Sequence, residues 1–178
     1  MDRAGHAEIS ALPFVDVHTV LVDAEPAVVW RAAGEAVTRS FAGGPSEGVA
    51  RLLGAADPAA SGARPPAPGA TVPGATVPGF RVVTADEGRT LALAGSHRFS
   101  AYALVLRLER EGPGRTRLRA ETRAAFPGPA GRLYKLLVIG SRAHRLVVRR
   151  MLARIRRRAE AGGPGSGRGA GGEAPQQR

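Results

Sequence analysis

The chain has 178 residues, 43% of them apolar, with five Phe, two Tyr and one Trp, 24 glycines, 14 prolines and a formal net charge of +11. That length suits one domain with room for tails and a real core. With no cysteine, disulfides, thiolate nucleophiles and Cys-type zinc sites are excluded. No stretch approaches the ~18 apolar residues of a membrane span.

Residues 1–13 read as an N-terminal extension without the basic start and apolar run of a signal peptide, which predicts a cytoplasmic protein. Phe14-Val-Asp-Val-His-Thr-Val-Leu-Val22 is β-rich and partly alternating, and predicts a first strand. Asp23-Ala-Glu-Pro26 is a helix start, because Pro lacks the N–H that a first turn leaves unpaired. The helix is predicted over 26–41, with Trp30, Ala33, Val37 and Phe41 on one face. Gly43-Gly44-Pro45 breaks it, and 47–53 can form a short second helix. Residues 54–78 are rich in Pro, Ala and Gly, and Gly-Ala-Thr-Val-Pro occurs there in tandem, at 69–73 and 74–78. This predicts a flexible loop.

Strands are predicted over 80–84, 90–94, 98–108 and 116–126, joined by turns at 86–89, 95–97 and 111–114. The last alternates, with Leu118, Ala120 and Thr122 on one side and Arg117, Arg119 and Glu121 on the other. One sheet face is therefore expected dry and the other wet. Pro127-Gly-Pro129 opens a single long helix predicted over 129–161. Its dry arc holds Leu133, Leu136, Leu137, Gly140, His144, Val147, Val148, Met151 and Ile155. The wet arc holds Lys135, Arg142, Arg145, Arg149, Arg150, Arg156 and Arg157, with Val138, Ile139 and Leu146 intruding. The tail, 161–178, is Gly-rich and expected disordered.

The predicted class is α+β: a curved antiparallel sheet whose dry face is covered by the long C-terminal helix across 14–160. The run Val20-Leu-Val-Asp-Ala-Glu-Pro-Ala-Val-Val-Trp30, the Gly-Pro-Gly hairpin at 112–114 and the terminal helix resemble START-like, helix-grip proteins of the SRPBCC superfamily. The resemblance implies a hydrophobic cavity between sheet and helix. Its members include lipid and hormone carriers, polyketide cyclases and co-chaperones, and the fold does not choose among them.

No catalytic apparatus, cofactor loop or metal-ligand spacing is visible in the sequence. Gly140 removes volume from the dry arc, with Ser141 and His144 as polar groups beside it. Trp30, Tyr102, Ala120, Thr122, Leu137, Gly140, Ser141 and His144 are the candidate cavity wall. Asp16 and His18 share one face of the first strand and can pair as base and orienter, but read more simply as a surface pair. Ser96-His97 reads as a solvated turn.

These features point first to a non-enzymatic binder of a small hydrophobic molecule, lipid or polyketide-like. One alternative is a cyclase- or dehydratase-like enzyme in the same cavity, with His144 or Tyr102 as its acid–base group. Another is association with an anionic membrane, or less favourably nucleic acid, through Arg142, Arg145, Arg149, Arg150, Arg156 and Arg157.

Overall fold

The computed structural model describes residues 3–41, 74–77, 80–97, 100–136 and 143–162. In chain order the elements are α1 (Arg3–Ala11), β1 (Phe14–Val22), α2 (Pro26–Phe41), β2 (Thr76–Val77), β3 (Phe80–Asp86), β4 (Thr90–His97), β5 (Ser100–Gly112), β6 (Arg115–Ala125), α3 (Gly128–Lys135) and α4 (Ala143–Ala161). The strands form one antiparallel sheet in the order β1-β6-β5-β4-β3-β2. The short links suit it. Gly88 and Gly114 take positive φ in the β3–β4 and β5–β6 connections, a conformation that L side chains rarely adopt.

Helix α2 begins at Pro26, as its start signal predicts, and the Glu25 carbonyl accepts the Val28 and Val29 amides. The Glu25 carboxylate accepts the Gly114 amide at 2.8 Å and so ties the helix start to the last hairpin. Val29, Trp30, Ala33, Ala36 and Val37 are buried. They join Leu91, Leu93, Leu104, Leu106 and Leu118 of the sheet and Val148, Met151, Leu152, Ile155 and Ala159 of α4 in one core. Helix α4 thus lies across the inner face of the sheet, the α+β helix-grip arrangement.

The structure changes several expectations. The opposite face is not uniformly wet: Ile9 of α1, with Leu12, packs on Val83, Ala92, Ala94, Ala103 and Val105. Residues 101–106 are a continuous apolar run because β5 is covered on both faces. Arg123 clamps α1 by donating to the Leu12 carbonyl at 3.0 Å and to Glu121 at 2.6 Å, and Arg107 donates to the same carboxylate at 2.8 Å. Burial alone pushes the Glu121 carboxyl up, but these hydrogen bonds and charges hold it below its ordinary 4.5.

Gly95–His97 are strand, not turn, since β4 pairs through His97 opposite Ser100. The second Gly-Ala-Thr-Val-Pro copy supplies β2, a short edge strand opposite Arg81 and Phe80. Leu133, Leu136 and Val147, expected on the dry arc, are exposed, while Leu152 is buried. Among the described residues, the apolar part of the arc that packs runs from Val148 to Ala159. The short helix expected at 47–53, most of the loop at 54–78, the stretch 137–142 of the long helix and the tail lie outside the described residues.

Two outcomes follow for stability. Ile155→Ala is expected to cost about 2–5 kcal/mol in urea unfolding, while Arg150→Ala on the outward face of the same helix stays within about 0.5 kcal/mol. The Glu121 carboxylate titrates lower folded than unfolded. Its stabilisation is therefore present above about pH 4.5 and lost as pH falls through the lowered value. Glu121→Gln should flatten that acid limb of the urea midpoint against pH.

Candidate functional site

The site is built on the pairing of β1 with β6, in which Asp16 stands opposite Thr122, His18 opposite Ala120, Val20 opposite Leu118 and Val22 opposite Thr116. Side chains alternate along a strand with period two. Val22, Leu118 and Ala120 belong to the core under α4, so Asp16, His18 and Thr122 share that inner face. The register shifts between Phe14 and Asp16, a bulge that locally re-aims the chain.

Helix α4 brings His144 down onto these residues from its first turn. The His144 Nε2 lies 3.1 Å from the Thr122 hydroxyl and 3.5 Å from Asp16 Oδ1. The His18 Nε2 lies 3.4 Å from Asp16 Oδ2, and Arg145 Nε reaches within 4.0 Å of the same oxygen. One carboxylate is therefore shared by two imidazoles, with a guanidinium at its edge. Asp16 and His18 are only 12% and 13% exposed. Asp16 Oδ1 and His18 Nε2 are buried with no hydrogen-bond partner among the described residues. A buried polar atom left unpaired costs about 1–3 kcal/mol.

The inner face is divided. Around the C-terminal half of α4 it is apolar and packed, and its buried Thr116 hydroxyl is satisfied by donation to the Ala24 carbonyl at 2.7 Å. Under its first turn it carries the polar groups of Asp16, His18, Thr122 and His144. Burial pushes the His144 imidazole below its ordinary 6.5; Asp16 pulls it back up, while His18 and Arg145 add to the lowering, and the net direction is down. A neutral imidazole beside a carboxylate can accept a proton or hold a hydrogen-bonding ligand group.

Of the expected wall residues, the structure brings Thr122 and His144 into contact, with Ala120 buried next to them. Trp30 is buried in the α2 core. Tyr102, diagonal to Thr122 across β5 and β6, makes an edge-on contact with Phe80 at 5.0 Å. Leu137, Gly140 and Ser141 lie outside the described residues, as does Arg142 of the basic set. Arg145, Arg149, Arg150, Arg156 and Arg157 are exposed. Asp16 and His18 are the functional candidates that sequence reasoning placed on the surface. Their parity with Val20 and Val22 is the signal that marks them as inward. A cleft of about 480 Å³ lies elsewhere, toward the β3–β4 hairpin, among Gly88, Arg89, Arg107 and Arg110. No group of three His, Cys, Asp or Glu side chains suited to a metal ion occurs among the described residues.

The pH dependence of His144 has a definite sign. Its folded value lies below its unfolded one, so the unfolded chain binds more protons between the two. Stability is expected to fall as pH drops from about 6.5 toward the lowered value and then to level off. An NMR titration should place the His144 midpoint below 6.5, and His144→Gln should remove this part of the stability profile.

No family model and no curated protein matches the chain. Among solved structures it is similar to CalU16 from Micromonospora echinospora, with 16% identity, 82% of this chain and 83% of that chain covered, and a TM-score of 0.42. It is also similar to norcoclaurine synthase from Thalictrum flavum, solved with dopamine and hydroxybenzaldehyde, at 12% identity, 80% and 83% coverage and a TM-score of 0.47. An HSP90 activator from Plasmodium falciparum matches at 10% identity, 75% and 95% coverage and a TM-score of 0.39. The similarity is one of fold.

Proposed function

We propose that the inner face of the sheet, under the N-terminal half of α4, binds a small and mostly apolar molecule that presents one hydrogen-bond donor. The observation that carries this reading is the pair of buried atoms Asp16 Oδ1 and His18 Nε2, which have only long contacts, 3.5 Å to His144 Nε2 and 3.4 Å to Asp16 Oδ2, and lie beside aliphatic side chains of the core. A carboxylate only accepts hydrogen bonds, so Asp16 selects a hydroxyl or an amine over another carboxylate. Leu104, Ala120 and Val20 supply the apolar floor beside it. Binding pockets of this kind combine an apolar lining with few convergent polar groups.

A second reading, a cyclase- or dehydratase-like enzyme in the same place, is favoured by one observation. His144 is held toward its neutral form beside Asp16, the state in which an imidazole acts as a general base. Binding without turnover is the simpler use of the same groups.

Naphthol, naphthalene and naphthoate, matched in size, test the binding reading by native mass spectrometry and calorimetry. Naphthol is expected to bind about tenfold or more tighter than naphthalene, the worth of a hydrogen bond to a charged group. Naphthoate is expected to be rejected. Asp16→Asn should narrow the gap between naphthol and naphthalene. Failure of all three probes to bind would overturn the reading.

A further inference from the structure

The outward side of the C-terminal region does not look like an ordinary solvated surface. From Thr122 to Ala159 the chain has no acidic residue. On α4, Leu146 and Val147 are 50% and 63% exposed, and they stand among the exposed Arg145, Arg149 and Arg150. Helix α3 repeats the composition, with Leu133 61% and Leu136 68% exposed beside the exposed Arg132 and Lys135.

Ion pairs occur at both ends of α4, and at its start Arg145 reaches Asp16. Near its C-terminus Arg156 pairs with Glu160 at 2.8 Å, and Arg158 pairs with Glu35 of α2. Arg149, Arg150, Arg154 and Arg157 have no acidic partner among the described residues, and neither do Arg132 and Lys135 on α3. Of the unpaired cations, Arg149 and Arg150 lie next to the exposed Leu146 and Val147 in the chain. Helix α4 is held from beneath by Val148, Met151, Leu152 and Ile155, so it can press its outer face on a partner without leaving the core.

We propose that this outer face of α4 docks on an anionic lipid bilayer. The guanidinium groups meet the lipid phosphates while Leu146 and Val147 enter the boundary between headgroups and acyl chains. Long Arg stems suit that boundary, since the apolar stem and the charged head face different media. A nucleic-acid duplex would use the same charges but leave the leucines exposed, and α4 carries no aromatic residue for base stacking. The attachment is peripheral: among the described residues no helix is long and apolar enough to cross a membrane. The proposal is independent of what the inner face binds.

The full chain is sedimented with phosphatidylcholine vesicles, with and without phosphatidylglycerol, at low and high salt. Binding is expected only with phosphatidylglycerol present, and is expected to weaken as salt rises. A Leu146→Ser/Val147→Ser double variant, its melting temperature checked against wild type, should lose about tenfold in partitioning at unchanged charge. Arg149→Gln/Arg150→Gln should weaken binding and flatten its salt dependence. No binding to the anionic vesicles at low salt would overturn the proposal. So would undiminished binding by the leucine–valine variant, or tighter binding to duplex DNA in the same buffer.

Discussion

The packing of α4 on the inner face of the sheet is the contact on which the rest of the structure depends. Val148, Met151, Leu152, Ile155 and Ala159 fill the space between the strands and α2. Helix α2 meets that core with Ala32, Ala33 and Ala36, whose small side chains let two helices share one sheet face. A helix held along one narrow arc has its other faces assigned by geometry. His144 is turned toward the strands, and Arg149, Arg150 and Leu146 are turned outward.

The same contact explains why the polar cluster is confined to one end of the grip. Where α4 packs fully, any buried polar group needs an internal partner, as Thr116 has in the Ala24 carbonyl. Near the first turn of α4 the aliphatic Leu146 and Val147 turn outward. There the inner face carries Asp16, His18, Thr122 and His144, with Asp16 3.4 and 3.5 Å from the two imidazoles. A carboxylate beside two imidazoles in low dielectric is a strained arrangement unless something else completes its hydrogen bonds. Burial makes the His144 imidazole titrate lower, against the upward pull of Asp16.

Much of this was legible in the chain. The start signal at Pro26, the hairpin at Gly112-Pro-Gly114 and the alternation of β6 each define an element through local chemistry alone, and the structure places the elements there. The Asp16–His18 pair was not legible as a site, because two polar residues on one strand face read as a wet face. Only the register with β6 and the position of α4 turn that face inward. The outer sheet face was misread for the opposite reason. Alternation in β6 suggested solvent there, but Ala92, Ala103 and Val105 on the neighbouring strands needed a cover, and α1 supplies it.

The sequence by itself determined the α+β class, the strand and helix order, the acid-free basic C-terminal segment and the candidacy of Thr122 and His144. Those properties rest on periodicity, turn chemistry and composition, which act over a few residues. Tertiary structure alone decided that Asp16 serves two histidines, that Leu133, Leu136 and Val147 face outward, and which arginines have acidic partners. Each of these depends on what a residue meets from a distant part of the chain, and spacing along the chain carries no information about that meeting.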